Sequence, residues 1–305
     1  MPYEVLPNPQ VEEVPALHRK WWPGRGSPGS HDGAEGPPRM PLEVGYHWYM
    51  LNDYDRNRAY RDAIQLTARG RIVYDLGAGL GPMSYYALAA GARKVYGFEV
   101  DRSIYPYLRR LRHGHPNFVP IRGNALRAPL PRQLPEVVVC EMWSAWLTDW
   151  PMVQILNRIR RRAPQVQVIP ARGHHIVQLV DARHRSDLPV QFAPGTEAAT
   201  FGEPLATSEM SLPALACVTD FRCAVAAVDT VVTLVPLTAG TVNAVRLYSY
   251  EEVTAGHVLP RTGTRTDELL RWIRPIDVRR GQRVRLRVSH RWGPGLTVRV
   301  EGTGR

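Results

Sequence analysis

The segment Asp75-Leu-Gly77-Ala-Gly79-Leu-Gly81, set between the apolar run RIVYDL and the helical pattern PMSYYALAAGA, constrains this chain more than any other. Its glycines let the backbone turn tightly and let a ligand approach it without meeting a Cβ. A second strand, KVYGFEV, follows and carries Glu99, 24 residues after Asp75. A carboxylate at the end of that strand can accept from both hydroxyls of a ribose. The unit reads strand, glycine turn, helix, strand, which is a βαβ crossover with a nucleoside site at its turn.

The same alternation continues downstream. A helix is predicted near Ser103 to His113, strands at NFVPIR and EVVVCE, a helix from about Met152 to Arg162, and a strand at VQVIP. Strands alternating with helices make a mostly parallel, doubly wound sheet covered on both faces, an α/β Rossmann-like domain. Upstream, HWYMLNDYDRNRAYRDAIQLTARG predicts a polar helix with Met50, Tyr54, Ile64 and Leu66 toward a core, ending at Gly70. Beyond Pro170 the rhythm changes to short alternating runs, HHIVQLV, FRCAVAAV, TVVTLV, NAVRLYSY, QRVRLRV and LTVRVE. These predict an antiparallel barrel or sandwich. From Pro23 to Pro38, eleven of sixteen residues are Gly, Pro or Ser, a composition that cannot bury enough apolar surface to order itself. The expected organisation is a flexible lead-in over 1–44, a Rossmann-like domain over 45–170 and a β-domain over 171–305.

Composition narrows the function classes. Hydrophobic residues make 44% and charged residues 22% of 305, the balance of a globular protein. The net charge of +11 invites an anionic partner. Yet only Lys20 and Lys94 are lysines, and the arginines are spread along the chain, so nucleic acid is not the expected partner. Cys140, Cys217 and Cys223 lack the paired spacing of zinc or redox sites, which predicts no metal and a reducing, cytoplasmic setting. The absence of an apolar h-region near the N-terminus and of eighteen consecutive apolar residues argues against secretion and membrane spanning.

The glycine spacing separates two cofactor classes. The third glycine follows the second by two residues and an acidic residue precedes the set, unlike the dinucleotide G-x-G-x-x-G. S-adenosyl-L-methionine is therefore favoured over a dinucleotide. On these residues, YDLGAGLGPMSYYALAAGARKVYGFE resembles the cofactor motif of the protein arginine methyltransferase family. MLNDYDRNRAYRDAI resembles the family's preceding helix, with His47 three residues before Met50, and VVVCEMWSAWL resembles the start of its acceptor loop. NAVRLYSYEEVT and WIRPIDVRRGQRVRLRVS are similar to strands of its C-terminal β-barrel.

The resemblance implies a class I methyltransferase releasing S-adenosyl-L-homocysteine, and a homodimer formed through an arm of the barrel. It implies that Arg56 holds the cofactor carboxylate and that Glu141 is the first of two acceptor-binding glutamates. It also implies that the segment before the first helix closes over the donor, which would make Trp21 and Trp22 a lid. From their positions, Asp75, Gly77, Gly79, Gly81 and Glu99 are expected in the cofactor site, and Asn124, after the third strand, at the adenine edge.

The acceptor side departs from the family. Its second glutamate aligns at Trp150, with Asp149 one place early, and the barrel's His-Trp pair is replaced in RTGTRTDELLRW. Asp149 fits a shifted second carboxylate and fits equally a cap for the helix opening at Pro151. Trp48, Trp143, Trp146 and Trp150 are candidates to line an acceptor site, able to stack on a cation or a flat heteroaromatic ring and equally able to be core. His47 is a further acceptor-side candidate. The expected acceptor is a nitrogen or electron-rich ring carbon of a small molecule or short peptide, as in bacterial specialised metabolism. The alternatives are a true arginine N-methyltransferase and a non-catalytic cofactor-binding or RNA-docking scaffold. Arg109, Arg110, Arg112 and the Arg158–Arg162 cluster are expected to be solvated faces.

Overall fold

A computed structural model describes residues 47, 50–148, 151–184, 197–199, 205–259, 268–293 and 295–304. Five strands, β1 (Ile72–Leu76), β2 (Lys94–Glu99), β3 (Phe118–Arg122), β4 (Val137–Cys140) and β5 (Gln167–Ile169), form one sheet in the order β3-β2-β1-β4-β5. Every pairing is parallel. Helices α1 (Tyr54–Thr67), α2 (Pro82–Ala89), α3 (Tyr105–Arg110) and α4 (Met152–Arg160) accompany them. The order reverses beside β1, and that switch point is where a doubly wound sheet opens a crevice at its C-terminal edge. In the β1–β4 register Leu76 sits opposite Cys140, so the glycine loop and Glu141 leave the sheet side by side.

α1 begins at Asp53, whose carboxylate accepts from the Arg56 backbone N–H at 3.1 Å, a side-chain N-cap. Its buried face is Arg56, Asn57, Tyr60, Ala63, Ile64 and Thr67, one stripe at helical spacing. Tyr54 and Leu66 fall off that stripe and are 56% and 82% exposed. Of the four residues expected to face the core, only Ile64 is fully buried.

Among the described residues the second half contains strands and no helix. β6 (Arg172–His184), β7 (Glu197–Ala199), β8 (Leu205–Glu209), β9 (Ala214–Asp220), β11 (Gly240–Thr254), β12 (His257–Leu259) and β13 (Leu269–Val278) form a seven-stranded antiparallel sheet. β10 (Val228–Leu234), β14 (Arg283–His290) and β15 (Thr297–Gly304) form a second. The run FRCAVAAV is not a strand; a turn and an extended link occupy residues 221–227, and β10 starts at Val228. The two sheets share a core of Val177, Leu179, Val232, Val245, Leu286 and their neighbours, as a barrel domain does.

The halves meet across aromatic rings. Trp143 stacks on His175 with planes 7° apart, and Trp146, His290 and Trp292 complete the cluster. His175 is fully buried between the hydroxyls of Ser249 and Thr219, each 2.8 Å from a ring nitrogen. Burial pushes its pKa down to about 3, and that of His290 down to about 4. Both rings are therefore neutral in the fold. An unfolded histidine titrates near 6.5, so the denatured chain takes up protons first and stability falls as pH drops below that value. For His175 alone the loss is about 2 kcal/mol at pH 5. Asp75, raised to about 6 mainly by burial, acts oppositely: its ionised form is disfavoured in the fold, so it adds stability as pH falls through 6. The difference between wild type and His175→Leu isolates the histidine. Urea midpoints measured from pH 8 to 5 should fall more steeply in wild type, and parallel curves would exclude this coupling.

Candidate active site

A cavity of about 770 Å³ opens at the C-terminal edge of the parallel sheet, within the size range of small-molecule sites. The glycine loop forms one wall. Gly77 and Gly79 both have positive φ, 71° and 55°, and each is closely approached. A Cβ on Gly77 would lie 2.7 Å from Met142 Cγ, and one on Gly79 would lie 2.8 Å from His47 Cε1. Both glycines line the cavity, as do Glu99 and Asn124. Gly81 and Asp75 do not line it. Gly81 sits under α3, where a Cβ would lie 2.4 Å from Leu111 Cδ1, and Asp75 is buried with its carboxylate accepting from Ser84 Oγ at 2.6 Å. These two hold the loop and α2 in place without touching the cavity.

Glu99 is buried, and its two oxygens accept from Gly79 N–H and Asp101 N–H, each at 2.7 Å. Each carboxylate oxygen has a second lone pair, so both can still receive a hydroxyl. Asn124 heads a tight turn, its Oδ1 accepting from Leu126 N–H at 2.9 Å. His47 packs against the glycine loop, and burial lowers its pKa despite the nearby Asp101, so the imidazole is neutral at pH 7.

Arg56 and Glu141, 85 residues apart, meet at the cavity. The Arg56 Nε–H donates to Glu141 Oε1 at 3.1 Å, and Nη2 donates to Oε2. Nη1 donates to Asn57 Oδ1 at 2.8 Å and to the Met50 carbonyl at 3.3 Å. Four of the five guanidinium N–H groups are thus used by the chain itself. The side chains are 2% and 6% exposed. Arg56, expected for the cofactor carboxylate, is first of all the group that fixes Glu141.

Of the tryptophans, Trp143 lines the cavity. Trp146 does not. It is 0% exposed in the barrel core, with Nε1–H donating to the Ile176 carbonyl at 3.0 Å and N–H to Ser249 Oγ at 2.9 Å, and its own carbonyl accepting from His290 Nε2 at 2.8 Å. Trp146 and Leu147 both hold φ near 54°, costly for residues with a side chain. The barrel's hydrogen bonds are what impose that bend on the loop following Glu141. Trp48, Asp149 and Trp150 lie outside the described residues, as do the lead-in with Trp21 and Trp22 and most of RTGTRTDELLRW.

Sequence reasoning missed several wall residues: Met50, Leu51, Asp101, Met142, Pro151 and Ile155. Adjacency could have found two of them, since Met142 follows Glu141 and Asp101 stands two residues past Glu99. Arg158 and Arg160, expected to be solvated, both donate to backbone carbonyls, those of Ala125, Ala128 and Phe221 among them. Among the described residues no group of three or more His, Cys, Asp and Glu could hold a metal, and no helix is long and apolar enough to cross a membrane.

No protein-family model matches the chain. It is 31% identical over 144 residues to an uncharacterised protein of Methanocaldococcus jannaschii, covering 45% of this chain and 55% of that protein. It is 28% identical over 151 residues to protein arginine N-methyltransferase 1 of Schizosaccharomyces pombe, covering 47% and 44%. The chain thus spans about half the length of the curated relatives it matches. In fold it superposes on a chain of the Trypanosoma brucei PRMT1 enzyme–prozyme heterotetrameric complex with AdoHcy, with a TM-score of 0.66 and 21% identity, covering 81% of this chain and 87% of that one. Over 47% of its length the chain is thus similar in sequence to a protein arginine N-methyltransferase, and over 81% it shares the fold of the Trypanosoma PRMT1 complex chain.

Proposed function

We propose that the protein is an S-adenosyl-L-methionine-dependent methyltransferase acting on a nucleophilic nitrogen or electron-rich ring carbon of a small molecule or short peptide, of the kind made in bacterial specialised metabolism. The observation that carries the donor half is the cradle itself. Gly77 and Gly79 bring bare backbone to the cavity wall, with Met142 and His47 packed where a Cβ would stand, beside a buried Glu99 with lone pairs to spare. When bound, S-adenosyl-L-methionine supplies an electrophilic sulfonium methyl and leaves as S-adenosyl-L-homocysteine. Glu99 takes the ribose, Asn124 the adenine edge, and the remaining Arg56 N–H the carboxylate.

The chain's own contribution is alignment and charge. Holding two reactants in line can contribute about 7 to 11 kcal/mol of a barrier. Glu141 is immobilised by its bidentate partner and so offers a fixed carboxylate to orient the acceptor and offset the positive charge that grows on it. The wall includes the apolar Met142, Trp143, Pro151 and Ile155, which suits a flat, weakly charged acceptor. A second reading, arginine N-methylation, is favoured by the fixed Glu141 carboxylate at the cavity and by the relatives' names.

The test is release of S-adenosyl-L-homocysteine from the pure protein with free arginine, an arginine-rich peptide, and a panel of indoles and other heteroaromatics. Turnover on heteroaromatics alone supports the first reading. Turnover on arginine or the peptide supports the second and makes Asp149 the candidate second carboxylate, so that Asp149→Asn should then abolish activity. No release with any acceptor, despite donor binding, would return the chain to a non-catalytic scaffold. The Trypanosoma neighbour is an oligomeric complex; we expect a homodimer here, which the mass in solution checks.

A further inference from the structure

Resting on the donor-site reading above, we infer that Arg158 is a positioning residue for the nucleoside, clamping the turn that forms the adenine end of the cavity. Gly123, Asn124 and Ala125 line that end. The turn is closed by Asn124, whose carbonyl accepts from Arg127 N–H at 2.9 Å and Ala128 N–H at 2.7 Å and whose side chain caps Leu126 N–H. It packs tightly enough that a Cβ on Gly123 would lie 3.3 Å from that of Ala128.

A single helical turn of this kind leaves carbonyls at its C-terminal end without partners in the turn. Arg158 reaches from α4 and supplies them: Nη1–H donates to the Ala125 carbonyl and Nη2–H to the Ala128 carbonyl, both at 2.7 Å. A cation at that end also suits the local dipole. Two carbonyls three residues apart are spanned by the two arms of one planar guanidinium, which a lysine ammonium cannot reproduce. Ile155, one turn earlier on α4, lines the cavity, so α4 carries both a wall residue and the clamp on the turn. Glu141, the loop after it, α4 and the Asn124 turn therefore form one connected frame around the cavity.

Arg160 provides the control. It stands two residues further on α4 and likewise donates to backbone carbonyls, those of Pro164, Val166 and Phe221, but none of its partners lines the cavity. A purely structural role predicts that losing either arginine lowers the melting temperature and nothing more. A positioning role predicts that only Arg158 alters nucleoside affinity.

The experiment is calorimetric titration of the full chain with adenosine and with S-adenosyl-L-homocysteine, alongside melting temperatures, for wild type, R158A, R158K and R160A. R158A should weaken both ligands by the same factor of about tenfold or more, the scale of a hydrogen bond from a charged donor. R158K should fall between it and wild type, and R160A should bind both as wild type does. Should R158A fail to melt cooperatively, R158K carries the decision. Affinities of the Arg158 variants within twofold of wild type, or a loss confined to S-adenosyl-L-homocysteine, would overturn the inference. Wild type binding neither ligand would instead overturn the donor-site reading on which it rests.

Discussion

Replacing Glu141 by alanine is expected to abolish turnover and to lower stability by about 3 to 5 kcal/mol, because it strips a buried guanidinium of its counter-charge. Arg56 is 2% exposed, and without Glu141 its guanidinium keeps, among the described residues, hydrogen bonds to the Met50 carbonyl and Asn57 Oδ1. Glu141→Gln keeps the shape and one acceptor oxygen, so most of the fold's stability should survive. Its turnover should still fall by about 100-fold or more, since the charge offsetting the acceptor's developing cation is gone. The double variant R56M/E141L removes both charges at similar volume and should regain stability without regaining activity. Urea unfolding and S-adenosyl-L-homocysteine release, measured on the same preparations, separate the two roles. An E141Q protein with full turnover would reduce the pair to a structural ion pair.

Alanine at two neighbouring glycines should produce two different losses. Gly79→Ala places a Cβ 2.8 Å from the His47 ring, in a residue with φ of 55°. His47 must shift into the cavity or the loop must move, and either is expected to weaken S-adenosyl-L-homocysteine binding at least about tenfold, as about 1.4 kcal/mol of misfit would. Gly81→Ala instead drives a Cβ to within 2.4 Å of Leu111 and 2.9 Å of Leu108 at a φ of 90°. Both leucines are fully buried, so overpacking of about 1 to 3 kcal/mol adds to the left-handed strain. Stability should fall, while ligand affinity, referred to the folded fraction, changes little. Titration and thermal melts check both. A Gly79→Ala protein with unchanged affinity would remove the glycine loop from the binding site.

The fate of the basic residues shows where reading a sequence stops. Arg109, Arg110 and Arg112 are exposed, as a charged outer helix face should be. Arg158 and Arg160 carry the same charge on the same kind of helix, yet each is half-buried against carbonyls brought to it from other elements. No local pattern distinguishes the two groups. The tryptophans after Glu141 divide in the same way, Trp143 to the cavity wall and Trp146 to the barrel core, because an irregular loop has no periodicity from which facing could be read.

The glycine loop, the parallel sheet and the change to antiparallel strands after Pro170 were legible in the chain alone, because strand and helix periods and glycine turns are properties of a few adjacent residues. Tertiary structure alone decided that Arg56 grips Glu141 and that Asp75 and Gly81 lie behind the loop while Gly77 and Gly79 face the ligand space. It alone also decided that Arg158 holds the Asn124 turn. Each of those depends on the strand order β3-β2-β1-β4-β5, which sets β1 beside β4 and brings together residues far apart in the chain. Which buried polar group meets which is settled by that packing, since a buried charge or hydrogen-bonding group must find its partner wherever the fold delivers one.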